Sequence, residues 1–174
     1  MTTEFTITRL IEIDAGHRVP DHKSKCHSLH GHRYKILATC VGPLFTEGEQ
    51  TGMVLDFGFL KDEMMKEVHD PCDHSMILWI DDPNLAVYFP SARLPPRSAI
   101  ISDGHYQTTS GYDKIYLIPF TPTAENLAKH WFKRLAPRVK IRSENQAHLE
   151  ELTVWETPNC YATYPYLKLA KVST

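Results

Sequence analysis

Residues 23–36, KSKCHSLHGHRYKI, place one cysteine, three histidines and four lysines or arginines in fourteen positions. Imidazoles beside a thiol are the raw material of a metal site with a reactive group next to it. In an extended strand, side chains at i and i+2 share a face, so His30 and His32 of the HGH triplet present two imidazoles side by side. Gly31 leaves the backbone between them unobstructed. His17 is in phase with the apolar face of a preceding strand and becomes a third nitrogen ligand if the two strands pair antiparallel. His22 and His27, in the intervening loop, are rival third ligands. Three histidines with a fourth position open form a catalytic Zn²⁺ site, where the metal polarises a substrate oxygen or lowers the pKa of bound water to about 7. The competing reading is a polar strand end whose histidines only make hydrogen bonds.

Cys26 sits four residues before His30, with Lys25 beside it and Arg18, Lys23, Arg33 and Lys35 near in sequence. Basic neighbours make a thiol a candidate base or nucleophile; the alternatives are a small buried hydrophobe or a fourth zinc ligand that closes the site. Asp73 and His74 offer a carboxylate and an imidazole that can cooperate with a thiol if the fold unites them. Glu156 continues the Leu152, Val154 face of a strand, where a carboxylate needs a partner. That partner is a salt bridge, or a planar heterocycle whose adjacent N–H groups both oxygens accept. Thr123 and Glu125, at a helix start, can add backbone donors or a second anchor. His69, His105, His130 and His148 read as ordinary histidines.

The elements that must carry these groups are visible as periodicity. Phe5, Ile7, Ile11, Ile13 and Ala15 alternate as a strand that ends at His17, and His30, His32, Tyr34, Ile36, Ala38 and Cys40 alternate as a second. Residues 53–55 read as a short strand, followed by Asp56 as the N-cap of a helix through about Val68, with Leu60, Met64 and Val68 four apart. A second helix opens with Pro122 in its first turn, carries Leu127, Trp131 and Leu135 inward, and ends at Pro137. Residues 148–157 form a last strand stopped by Pro158. Four of the twelve prolines fall within 83–96, so residues 81–118 read as a long excursion. The expected class is α+β with antiparallel strands.

A chain of 174 residues forms one domain with its own core, here 1–174 with an insertion at about 81–118. A formal charge of −2 gives no overall attraction to nucleic acid or acidic membrane. The N-terminal residues lack a signal-peptide core or an apolar span, which predicts a cytoplasmic protein with no membrane partner. The four cysteines form no CxxC pair, so disulfides are not expected.

Taken in order, AGH at 15–17, KCHSLHGHRYKI at 25–36, GMVLDF at 52–57, DH at 73–74, PTAENLA at 122–128 and WET at 155–157 resemble the 6-pyruvoyl- and 6-carboxy-tetrahydropterin synthase family. The resemblance implies a T-fold, a four-stranded antiparallel sheet with two helices on one face, assembled as trimers that stack into homohexamers with active sites between subunits. It implies His17, His30 and His32 as zinc ligands, Cys26 as catalytic thiol, Asp73 and His74 as its relay from a neighbouring subunit, and Glu156 as the pterin anchor. The implied substrate is 7,8-dihydroneopterin triphosphate; apart from the resemblance, the basic residues around Lys23, Lys25 and Arg33 are candidates to bind its phosphates. The three residues between Cys26 and His30 resemble the carboxy branch of queuosine precursor synthesis, which releases acetaldehyde. The pyruvoyl product, a side-chain aldolase reaction and a non-catalytic pterin-binding scaffold are the alternatives.

Overall fold

A computed structural model describes residues 3–165. Strand β1 (Phe5–His17) and strand β2 (His30–Gly42) pair antiparallel from Phe5 opposite Gly42 to His17 opposite His30. Their inward residues, Ile11, Ile13, Ala15, Tyr34, Ile36, Ala38 and Cys40, are buried, as the period-2 pattern requires. On the outward face, cross-strand pairs take over: Arg33 with Asp14 at 2.8 Å and Lys35 with Glu12 at 3.5 Å. Exposed pairs of this kind add little stability but oppose a register slip that would bury charge.

Residues 53–55 are not a strand. Val54 and Leu55 are buried in bends, held by a turn in which Phe45 N–H donates to the Met53 carbonyl at 2.9 Å. Asp56 caps the next helix as expected, accepting from the N–H groups of Gly58 at 2.7 Å and Phe59 at 3.1 Å. Helix α1 (Phe57–Met64) passes into a π-helical turn (Met65–His69) and a short helix α2 (Asp70–Cys72), which delivers the chain to Asp73. Strand β3 (Ser75–Trp79) follows.

Residues 81–118 are built, not bare. They form helix α3 (Leu85–Tyr88), helix α4 (Arg97–Asp103), strand β4 (Tyr106–Ser110) and strand β5 (Asp113–Ile118). Helix α5 (Ala124–Arg142), strand β6 (His148–Thr157) and strand β7 (Cys160–Pro165) complete the chain. The sheet has seven strands in the order β4-β5-β3-β1-β2-β6-β7. It is mixed, because β3 runs parallel to both β1 and β5. The class is α+β, but a four-stranded antiparallel sheet is corrected to this larger one. Ile77, Tyr116 and Ile118 face the main core, while Leu78, Ile115 and Leu117 face a second cluster with Leu85, Phe89 and Ile100. Thus α3 and α4 cover the far side of β3 and β5, as parallel strands require.

Helix α5 does not end at Pro137 but runs five residues further. Pro137 removes one backbone bond, yet Leu135 and Val139 continue the buried stripe. Arg134 and Arg138 pair with Glu67, and Arg142 with Glu63, at 2.6, 3.1 and 2.8 Å. These tertiary contacts offset the lost bond.

Candidate active site and metal centre

The register of β1 on β2 sets His17 directly opposite His30, and Ala15 opposite His32. Because His32 shares the face of His30, all three rings converge, with centroid separations of 4.4, 5.2 and 4.9 Å. One ligand atom from each lies within 4.8 Å of the others. Two Zn–N bonds of about 2.05 Å at a tetrahedral angle span about 3.4 Å, so the rings would close by at most about 1.4 Å to hold such an ion. Gly31 serves this approach: a Cβ there would stand 3.1 Å from the Ala15 carbonyl oxygen. His22 and His27 lie outside the triad, and His27 Nδ1 instead donates to the Pro20 carbonyl within the loop.

Tautomers follow from the partners. A carbonyl oxygen can only accept, so His17 Nδ1 donates to Pro122 at 2.7 Å and His30 Nδ1 donates to Ser28 at 2.8 Å. In the neutral rings this leaves both Nε2 lone pairs free, the arrangement in which a backbone carbonyl orients a metal-binding imidazole. Among the described residues, His17 Nε2 and His32 Nε2 are buried without a hydrogen-bond partner, an expense that a bound cation would remove. The residues therefore fit a divalent metal with nitrogen ligands.

Burial pushes His17 down to about 4, opposed by the Pro122 carbonyl and reinforced by the two neighbouring imidazoles. His32 is lowered too, by burial first, against the pull of Glu156. The unfolded chain takes up a proton at His17 near pH 6.5 and the folded chain only near 4. Stability is therefore complete above about pH 6.5 and falls by about 3 kcal/mol toward pH 4. His130, pushed to about 3 by burial, acts in the same direction. Thermal melts of chelator-treated protein should show a falling Tm across that window, and a flat Tm would contradict the assignment.

Beside the triad lies a cavity of about 210 Å³ lined by His17, Cys26, Thr123, Glu125, Glu156 and Tyr161, among others. Cys26 rides on a 3-10 turn (Lys25–His27), and its carbonyl accepts from Val19 N–H at 2.8 Å, two residues past His17. The thiol turn is thereby tied to the strand end that carries His17. Glu156 reaches in from β6 at a bulge between Trp155 and Thr157, an irregularity of the kind that re-aims a side chain. Its Oε1 lies 3.4 Å from His17 Nε2. Thr123 caps α5, accepting from Asn126 N–H at 3.4 Å, and Pro122 lies before that cap rather than in the first turn. Lys25 is exposed and does not line this cavity.

Asp73 and His74 sit elsewhere in the protomer, His74 lining a separate groove of about 610 Å³ with His32, Arg33, Tyr112 and Lys114. Asp73 Oδ2 accepts from His74 Nδ1 at 2.8 Å, and Asp73 Oδ1 accepts from Asp14 N–H at 2.9 Å. Burial, the largest single influence, raises the Asp73 carboxyl, but the Asp14 backbone donor and the His74 and His69 imidazoles together hold it below its usual range. Among the described residues, the cavity that Cys26 lines is bordered by neither Asp73 nor His74.

The sequence profile of a family described as 6-pyruvoyl tetrahydropterin synthase matches residues 6–166. The chain belongs to that family. It is 36% identical to 6-carboxy-5,6,7,8-tetrahydropterin synthase of Rickettsia conorii, over 88% of this chain and 95% of that one. It is 31% identical to the Haemophilus influenzae protein of the same name, over 92% and 98%. Among solved structures, an uncharacterized protein from Wolinella succinogenes superposes with a TM-score of 0.73 at 22% identity, over 94% of this chain and 99% of that one. Caenorhabditis elegans 6-pyruvoyl tetrahydropterin synthase gives 0.58 at 20%, over 95% and 97%, and shares the fold.

In this tetrahydropterin synthase family member, the positive surroundings that sequence assigns to Cys26 are partly redirected. Arg33 and Lys35 pair with Asp14 and Glu12, and Arg18 is buried. Arg18 Nε stands 3.0 Å from Asp82 Oδ2 without hydrogen-bond alignment, and Nη1 donates to Tyr88 Oη at 2.9 Å. Segment 81–118 thus holds the residue that follows His17. Asp82→Ala strands a buried guanidinium, and urea denaturation should show a loss of about 3–5 kcal/mol. Sequence reasoning missed Asp82, Tyr88 and Lys114, none of which carries a local pattern. Among the described residues no helix is long and apolar enough to cross a membrane.

Proposed function

We propose that this chain is a zinc-dependent 6-carboxy-5,6,7,8-tetrahydropterin synthase. It converts 7,8-dihydroneopterin triphosphate and one water to 6-carboxytetrahydropterin, acetaldehyde and triphosphate, in the route to queuosine precursors. The observation that carries this reading is a convergent three-histidine cluster opening beside a cavity that holds both a thiol and a carboxylate. Relatives at 31–36% identity bearing the carboxy name, and the short Cys26–His30 spacing, favour that branch over the pyruvoyl one.

His17, His30 and His32 hold the ion through Nε2. When bound, zinc supplies Lewis acidity that polarises a side-chain hydroxyl and acidifies the attached C–H. Cys26 Sγ accepts and returns that proton. Glu156 accepts adjacent ring N–H groups in bidentate fashion and fixes the pterin so that the C–H faces the thiol. Thr123 and Glu125 border the same cavity and orient the ring edge, while Lys25, on the exposed turn, meets the phosphates. Asp73 and His74, remote from Cys26 within the protomer, serve the thiol of a neighbouring subunit, in a hexamer built from two trimers. The protein works in the cytoplasm.

Incubation of zinc-loaded protein with 7,8-dihydroneopterin triphosphate, with mass spectrometry of the products, tests this directly. Acetaldehyde and 6-carboxytetrahydropterin are expected. A pyruvoyl or shortened pterin product would move the chain to another branch, and pterin binding without turnover would leave a scaffold.

A further inference from the structure

The last strand of segment 81–118, β5, carries Lys114, whose ammonium points at the backbone of the α2–β3 turn. Its Nζ donates to the carbonyl oxygens of Asp70 and Asp73, the latter at 2.9 Å. The Asp73 carbonyl belongs to the peptide that leads into His74, so holding it fixes that peptide plane. His74 has φ +53°, a left-handed conformation that a non-glycine residue adopts only when its surroundings impose it. Strand β1 imposes part of it, because Asp14 accepts from His74 N–H at 2.7 Å and donates to Asp73 Oδ1 at 2.9 Å. Those bonds, with Asp73 N–H donating to the His69 carbonyl at 2.7 Å, hold the dyad from the side of β1 and the π-helical turn. Lys114 closes the other, from the neighbouring parallel strand, where it stands opposite Ser75.

We propose that Lys114 is a positioning residue for the Asp73–His74 dyad, and that this support is what segment 81–118 contributes to the reaction. The proposal rests on the role given to the dyad above. A flexible lysine spanning two carbonyls keeps Asp73 Oδ2 and His74 Nδ1 in the 2.8 Å contact that aims the imidazole outward, where it is 78% exposed. Nothing in a lone lysine of DKIYLI would announce this in the sequence.

Lys114→Met and Lys114→Arg, each assayed as full-length zinc-loaded protein, separate positioning from mere structure. Lys114→Met should lower kcat by about 10- to 100-fold, the scale of a misplacement near an ångström, with KM within about twofold. Lys114→Arg, whose guanidinium can also span two carbonyls, should restore kcat to within about threefold. Crystal structures supply a readout independent of turnover: His74 should leave the left-handed region in Lys114→Met and keep it in Lys114→Arg. If Lys114→Met does not fold, Lys114→Gln, which reaches at most one carbonyl, is read by the same criteria. Wild-type kcat with His74 unmoved, or an Arg variant as impaired as the Met variant, would overturn the proposal. If the wild-type protein releases no acetaldehyde, the synthase reading fails by itself, and the conformation of His74 in the variants still decides whether Lys114 positions it.

Discussion

Replacing Cys26 with alanine is expected to lower kcat on 7,8-dihydroneopterin triphosphate by about 10³-fold, the weight of a lost general base, while zinc content and pterin affinity stay near wild type. The separation of effects follows from the geometry. Cys26 lines the cavity with His17 and Glu156, yet the group of mutually close ligand atoms is made of histidines alone. On the proposed mechanism the thiol contributes to proton movement and neither to holding the metal nor to anchoring the ring. Its turn is secured by backbone bonds, Cys26 carbonyl to Val19 N–H and Ser28 N–H to the Lys25 carbonyl, which alanine preserves. Cys160 supplies an internal control, because it borders the same cavity but is exposed and engages Thr157 Oγ1 at 2.9 Å. Cys160→Ser should change kcat by only a few fold. An active Cys26→Ala enzyme beside an inactive Cys160→Ser enzyme would exchange the two assignments, and loss of zinc from Cys26→Ala would make the thiol a ligand.

The three-histidine cluster was legible because it needs so little of the fold. Two alternating strands and one antiparallel register bring His17, His30 and His32 together, and both facts are local to residues 5–42. Glu156 was legible as a carboxylate at the end of an apolar strand face, although the bulge that aims it left no trace in the residue pattern. What escaped was whatever depends on burial from two sides. SMILW and DKIYLI do not alternate, since α3 and α4 cover the face that would otherwise be polar, so the period-2 test passes over β3 and β5. The prolines of 83–96 bracket the four-residue helix α3 and say nothing of the strands that follow. Pro137 misled for the converse reason: a local breaker was overruled by arginine–glutamate pairs to α1 and the π-helical turn. Arg18 counted in sequence among the basic neighbours of Cys26 and proves to be a buried partner of Asp82.

Removing metal ligands one at a time should distinguish two kinds of histidine. His30 is partly exposed and its ring bonds to the Ser28 carbonyl two residues away, so His30→Ala should lose zinc and activity with little change in the stability of the metal-free protein. His17 is 1% exposed and bridges β1 to the start of α5 through Pro122, a contact across 105 residues. His17→Ala should lose zinc and also cost about 2–4 kcal/mol, from the cavity and the unmet carbonyl together. For both, the fall in activity should exceed the about 10- to 100-fold that loss of an outer-shell partner brings, because a coordinating atom is gone. Zinc content by elemental analysis, melts with and without added zinc, and urea titrations of the metal-free variants separate these effects. Added zinc should raise the Tm of the wild-type protein and leave both variants unmoved, since only a binding-competent native state gains from the ion. Stoichiometric zinc in His30→Ala would remove that ring from the ligand set, and with it the reason for the Gly31 approach between β1 and β2.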